Sequence, residues 1–109
     1  MKMARVILFT GRMDAMSAFY GERLGLKMVT DEKGWREFAA GAVRIGLHSG
    51  PSSPGRKGPK IVFFAKDVAA TRSKLAARGV RFGKVRVFGA LAMCDAKDPD
   101  GNPIQLSNR

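Results

Sequence analysis

Cysteine, acidic residues and long apolar runs are scarce in this 109-residue chain. The single cysteine, Cys94, excludes an internal disulfide and every zinc pattern built on several cysteines. The opening MKMARVILFTGR carries too few apolar residues before Arg12 for a signal-peptide core, so it is expected to be a strand. With no secretion signal, a reducing cytoplasm is the expected compartment. No apolar run approaches the length of a membrane span, so no membrane partner is expected. Acid is scarcest relative to base: nine Asp and Glu against twenty Lys and Arg, a net charge of +11.

What is present suits one soluble domain over 1–109, with 45% hydrophobic and 27% charged residues. The charge is uneven. From Arg56 to Arg86 there are ten basic residues and one acid, Asp67. Such a field favours anionic partners, either small acids, phosphates or nucleic acid, although a solvated basic surface that serves solubility is the simpler account.

Arg5 to Thr10 (RVILFT) has the composition of a buried strand. Asp14 is placed to cap a helix in which Met16, Phe19, Tyr20 and Leu24 recur at helical spacing, with Gly25 as its left-handed stop. Strands are expected at 26–30, 35–39 and 43–48, with Trp35 and Phe38 packed. GPSSPGRKGP, residues 50–59, is a linker. The pattern then restarts. A strand is expected at 60–65, and a helix capped by Asp67 that carries Val68, Thr71, Leu75 and Ala76 to Gly79. A strand opens at Val80–Phe82 and continues, with a break, to Phe88. A strand at 91–96, a DPDGN hairpin turn and a last strand at 104–107 complete the chain. The offsets are 53 residues from Asp14 to Asp67 and 54 from Gly25 to Gly79. The expected architecture is therefore α+β: two βαβββ units, at about 3–49 and 60–108, joined by the linker. Asp98 and Asp100 read as turn formers, and Cys94 as a buried, inert thiol.

FYGERLGLKMV (19–29), KIVFFAKDVAATRSKLAARGV (60–80) and KDPDGNPIQLS (97–107) resemble the vicinal oxygen chelate superfamily, the glyoxalase, bleomycin-resistance and extradiol dioxygenase group. The resemblance covers nearly the whole chain. It implies that each unit curls into a half-barrel whose concave side holds a metal or a ligand, and that the chain forms a homodimer. Metal-dependent relatives draw His, Glu or Gln ligands from the first and last strand of each unit. Here those positions carry over to Arg5, to Gly46 or His48, to Lys60 and to Gln105. Arg5 has no lone pair to give, Lys60 is a cation, and no carboxylate is among them. No cofactor is therefore expected, with a divalent metal as the alternative.

Alternation along strands turns this into a positive expectation. The cavity lining is Arg5, Ile7, Phe9, Arg44, His48, Lys60, Val62, Phe64 and Gln105: three cations and no acid. Ile104 and Leu106 pack in the core, so Gln105 is polar because it faces the cavity. The leading functional expectation is a metal-free protein that binds a small anionic molecule, such as a carboxylate, phosphate or phenolate, in a basic, partly apolar cavity. A glyoxalase- or dioxygenase-type enzyme is the alternative. In it His48 and Gln105 would be ligands, or His48 the base of a metal-free lyase or isomerase. A nucleic-acid module ranks last, because no recognised binding pattern is present and Phe63 is expected in the core.

Overall fold

The computed structural model describes residues 1–54 and 59–109; positions 55–58 of the predicted linker lie outside the described residues. The chain divides into two compact units, Met1–Ser53 and Pro54–Arg109. Each contains one four-stranded open sheet. The α+β pattern of two βαβββ units is present as expected.

In the first unit β1 (Arg5–Thr10) leads into α1 (Met13–Ala18), which continues as a π-helical turn over Phe19–Arg23. Then follow β2 (Lys27–Glu32), β3 (Trp35–Ala40) and β4 (Val43–Ser49). The sheet order is β1-β4-β3-β2, with β1 parallel to β4 and the other pairs antiparallel. A parallel pair needs a crossover, which the helix and the two intervening strands supply. Met16, Phe19 and Tyr20 are buried, as are Phe38, Ile45 and Leu47 of the sheet. The helical segment approaches the sheet at a glycine: a Cβ on Gly21 would stand 2.9 Å from Cε1 of Phe38.

Asp14 is not the helix cap. The capping position is Arg12, whose side chain makes no capping bond, and Asp14 lies inside the first turn, where its carboxylate accepts from Arg36. Gly25 does stop the helix, at φ 80°.

The second unit repeats the plan with β5 (Ile61–Phe64), α2 (Val68–Ala76), β6 (Arg86–Phe88), β7 (Leu91–Lys97) and β8 (Pro103–Ser107). Its order is β5-β8-β7-β6, with β5 parallel to β8. Asp67 caps α2 as expected, accepting from the Ala70 N–H. Gly79, at φ 86°, closes the helix while the Val80 N–H reaches back to the Leu75 carbonyl. The predicted strand at Val80–Phe82 is not formed. Val80 and Phe82 are buried, but this segment is held by Arg72, which donates to the carbonyls of Phe82 and Gly83, and by one bond from the Gly83 N–H to Asp95. Regular pairing starts only at Arg86.

The DPDGN turn is organised by Asp98, whose carboxylate accepts from the backbone N–H of Asp100 and Asn102 and from Asn102 Nδ2. Gly101 supplies the positive φ of 92°. The turn delivers β8 with Ile104 and Leu106 buried. Cys94 is buried opposite Leu106, and burial pushes its thiol pKa up. Among the described residues no helix is long and apolar enough to cross a membrane.

Candidate ligand-binding faces

Strand register decides which side chains stand together. In the first sheet three rungs run across β1, β4 and β3: Arg5–Arg44–Ala39, Ile7–Gly46–Glu37 and Phe9–His48–Trp35. They share one face, because successive rungs are two residues apart. The opposite face carries Phe38, which meets the helical segment. The five lining residues expected from this unit, Arg5, Ile7, Phe9, Arg44 and His48, therefore do share a face, and it is the open one. Ile7 and Phe9 are 44% and 52% exposed, although both are large and apolar.

In the second sheet the corresponding rungs are Val62–Gln105–Asp95 and Phe64–Ser107–Met93. Lys60 precedes β5 and reaches this face through its bond to Asp95. Val62 and Phe64 are exposed, the latter at 70%. Lys60, Val62, Phe64 and Gln105 are thus brought together within their own unit.

The expectation of three cations without an acid is overturned. Glu37 sits on the middle rung of the first face and is 6% exposed. Its Oε2 accepts from Arg5 Nε at 3.2 Å and lies 3.7 Å from Arg44, while its Oε1 accepts from Trp35 Nε1 at 3.1 Å. Burial alone would raise its pKa. Hydrogen bonds from Trp35, Arg5 and Thr30 outweigh burial and hold the carboxyl below its ordinary value. Asp95 plays the same part in the second sheet. It accepts from Lys60 at 3.0 Å and from Gln105 Nε2 at 2.9 Å, and pairs with Arg86. Its pKa is also lowered, the Lys60 and Gln105 bonds exceeding the opposing effect of burial. Gln105 is therefore polar because it anchors Asp95. On each face one carboxylate is shared by two cations, Glu37 by Arg5 and Arg44 and Asp95 by Lys60 and Arg86. By register the first face also carries Lys27 and Glu32 on β2, and the second carries Lys97.

Parity could have found both acids. Phe38 is apolar and packs toward the helix, so Glu37 beside it must face the other way. Asp95 likewise alternates with the buried Cys94. Trp35 was expected to pack, and it does, on the open face: its ring lies so close over Gly46 that a Cβ there would be 2.5 Å from Cη2. The register also settles which residue corresponds to Gln105. Ile7–Gly46–Glu37 matches Val62–Gln105–Asp95, so the counterpart is Gly46, and His48 corresponds to Ser107.

A divalent ion does not fit these residues. The four positions that the resemblance points to hold Arg5, Gly46, Lys60 and Gln105, two cations, a glycine and an amide already bonded to Asp95. Both nearby carboxylates are committed to cationic donors. His48 has its Nδ1 2.8 Å from the Ser49 carbonyl. A carbonyl only accepts, so Nδ1 carries the proton and one nitrogen lone pair remains at Nε2. No group of three or more His, Cys, Asp and Glu able to hold a metal occurs among the described residues.

A cavity of about 430 Å³ lies on the other face of the first sheet, lined by the helical segment and by β2 and β3. Leu26, Met28 and Phe38 contribute apolar surface, and Asp14, Glu22 and Asp31 are acidic. Arg36 donates to Asp14 and Asp31, tying α1 to β2. None of the nine expected lining residues borders it.

Comparison with known proteins agrees with this fold. The model of the Glyoxalase/Bleomycin resistance protein/Dioxygenase superfamily matches residues 2–106. A bleomycin resistance determinant encoded on the transposon Tn5 is 23% identical, with 100% of this chain and 98% of that chain covered and a TM-score of 0.79. Lactoylglutathione lyase from Agrobacterium tumefaciens is 20% identical, with 97% and 92% covered and a TM-score of 0.78. A glyoxalase/bleomycin resistance protein/dioxygenase from Nocardioides is 15% identical, with 98% and 82% covered and a TM-score of 0.82. At these identities the likeness is one of fold. No curated protein matches the chain in sequence.

Proposed function

The chain belongs to the Glyoxalase/Bleomycin resistance protein/Dioxygenase superfamily, and we propose that it is a metal-free member that binds a small anionic molecule. One observation carries this reading: each open sheet face presents two cations that share a single carboxylate, beside exposed apolar side chains. The fixed carboxylate holds the cationic heads in place, and the positive excess attracts an anion. Arginine suits that task because its planar fork meets a carboxylate or phosphate with two parallel bonds. Ile7 and Phe9 on one face, and Val62 and Phe64 on the other, supply apolar surface for the rest of the ligand. Donor chemistry disfavours the superfamily's metal-assisted reactions here, and no step through a metal is derived. We further propose that the chain pairs with a second copy, since each sheet ends in edge strands that another strand can extend.

Metal analysis of the purified protein, combined with thermal melting against carboxylates, inorganic phosphate and divalent ions, tests this reading. Binding to the folded state raises the midpoint by mass action. Anions are expected to stabilise the protein, and divalent ions are not. Near-stoichiometric transition metal, or stabilisation by divalent ions alone, would overturn the proposal in favour of a metal-dependent enzyme. Light scattering at several protein concentrations reads the dimer.

A further inference from the structure

The two faces are not equivalent, and the difference is aromatic. The chain has one tryptophan, and it lies on the rung Phe9–His48–Trp35, where three ring-bearing side chains stand side by side across three strands. The His48 ring centroid is 5.3 Å from that of Phe9 and 5.9 Å from that of Trp35. Glycines back both outer rings: Gly46 lies under the indole, and a Cβ on Gly50 would be 3.2 Å from Cδ1 of Phe9. Trp35 is fixed further by its bond to Glu37. The equivalent rung of the second sheet, Phe64–Ser107–Met93, has one ring.

Beside this row stands the charge. Glu37 receives the indole N–H on one oxygen and Arg5 on the other, so the guanidinium of Arg5 is one carboxylate's width from the indole. Arg44 borders the same oxygen from the next rung and is about half exposed. By register Lys27 and Glu32 also stand on this face, along its β2 edge, so three cations face two carboxylates and a positive excess remains beside Glu37.

We infer that the first face selects aryl carboxylates: a planar ring lies against the Trp35–His48–Phe9 row while the carboxylate meets Arg5 and Arg44. This rests on the anion-binding reading and narrows it to one ligand class and one unit. The positive excess beside a fixed row of rings argues for this occupant over a purely apolar one. Ring contacts of this kind contribute about two- to tenfold in affinity beyond the area that they bury.

A single tryptophan gives a direct readout. Trp35 emission is titrated with phenylacetate, acetate, benzyl alcohol and inorganic phosphate, with thermal melting in parallel. Phenylacetate is expected to change the emission saturably and to bind at least about tenfold more tightly than acetate or benzyl alcohol. Trp35→Leu should abolish the advantage of phenylacetate over acetate in melting, and Trp35→Phe should keep most of it. Should Trp35→Leu fail to fold, Arg44→Gln, at an exposed position, serves instead: phenylacetate binding falls about tenfold or more while the emission of the free protein is unchanged. If acetate and phosphate bind as well as phenylacetate, the anion reading stands and this inference falls. If no anion binds, both fall. Emission that shifts on dilution without ligand means that a second chain covers the row, which also overturns the inference.

Discussion

The two sheets solve one electrostatic problem with different parts. In the first, Glu37 is buried, takes a bond from an indole, and lies opposite Gly46. In the second, Asp95 is more exposed, takes a bond from an amide, and lies opposite Gln105 itself. Glycine and glutamine are thus alternatives at one place. Where the strand has no side chain, a tryptophan from the neighbouring strand fills the space and donates; where it has one, the side chain donates directly. The repeat conserves the hydrogen bond to the carboxylate and exchanges the residue that makes it. The exchange leaves an aromatic surface in one unit and an amide in the other.

The exchange can be broken from either side, and the larger effect is expected in the first sheet. Gly46→Gln puts a Cβ 2.5 Å from the Trp35 ring, so the indole must leave and its bond to Glu37 goes with it. Overpacking of this kind costs about 1–3 kcal/mol. Urea denaturation should show that loss, together with a red-shifted emission as Trp35 meets water. The reverse change, Gln105→Gly, removes one bond from an Asp95 that retains Lys60 and Arg86, and should cost about 0.5–1.5 kcal/mol. Equal costs in the two sheets would mean that the side chain introduced by Gly46→Gln is accommodated without displacing the indole, and the exchange of ring for amide would fall.

Acid should sharpen the comparison next. Both carboxyls have lowered folded-state pKa values, so the unfolded chain takes up protons first as pH falls. Their stabilisation is complete above the ordinary carboxylate range near about 4 and is lost as pH falls through the folded values. Glu37→Gln and Asp95→Asn should each flatten the acid limb of stability measured from pH 7 to pH 3. Glu37→Gln should flatten it more, because Glu37 is buried and its bonds are less screened by water than those of the more exposed Asp95. Added salt should weaken the Asp95 contribution first, since exposed pairs are screened. An acid limb left unchanged by Glu37→Gln would remove the carboxylate from this scheme.

The order of elements was legible because β-branched runs, cap residues and glycine stops announce themselves locally. Face sharing was legible too, since alternation alone placed Ile7 with Phe9 and Val62 with Phe64. The acids were not found because the lining was sought only on the first and last strands of each unit, whereas Glu37 and Asp95 lie on the strands between. Gly46 could not be told from His48 without the register of β4 against β3. The segment 80–85 misled because Val80 and Phe82 alternate like a strand and are buried like one, yet their backbone is held by Arg72 and not by a neighbouring strand.

The helix starts give the smallest and most local comparison. Asp14 and Asp67, 53 residues apart, invite the same role, but the units repeat at 55 residues here, which matches Arg12 with Asp67. Asp67 therefore caps α2, and Asp14 sits two positions inside α1. Asp67→Ala removes the acceptor for the Ala70 N–H and should cost about 1 kcal/mol. Asp14→Ala removes only a pairing with Arg36, which keeps its bond to Asp31. Asp14 is almost fully exposed, so that change should cost less than about 0.5 kcal/mol. Urea denaturation of the two variants side by side reads the difference. A cost for Asp14→Ala matching that of Asp67→Ala would restore the 53-residue repeat and move the start of α1 by two residues.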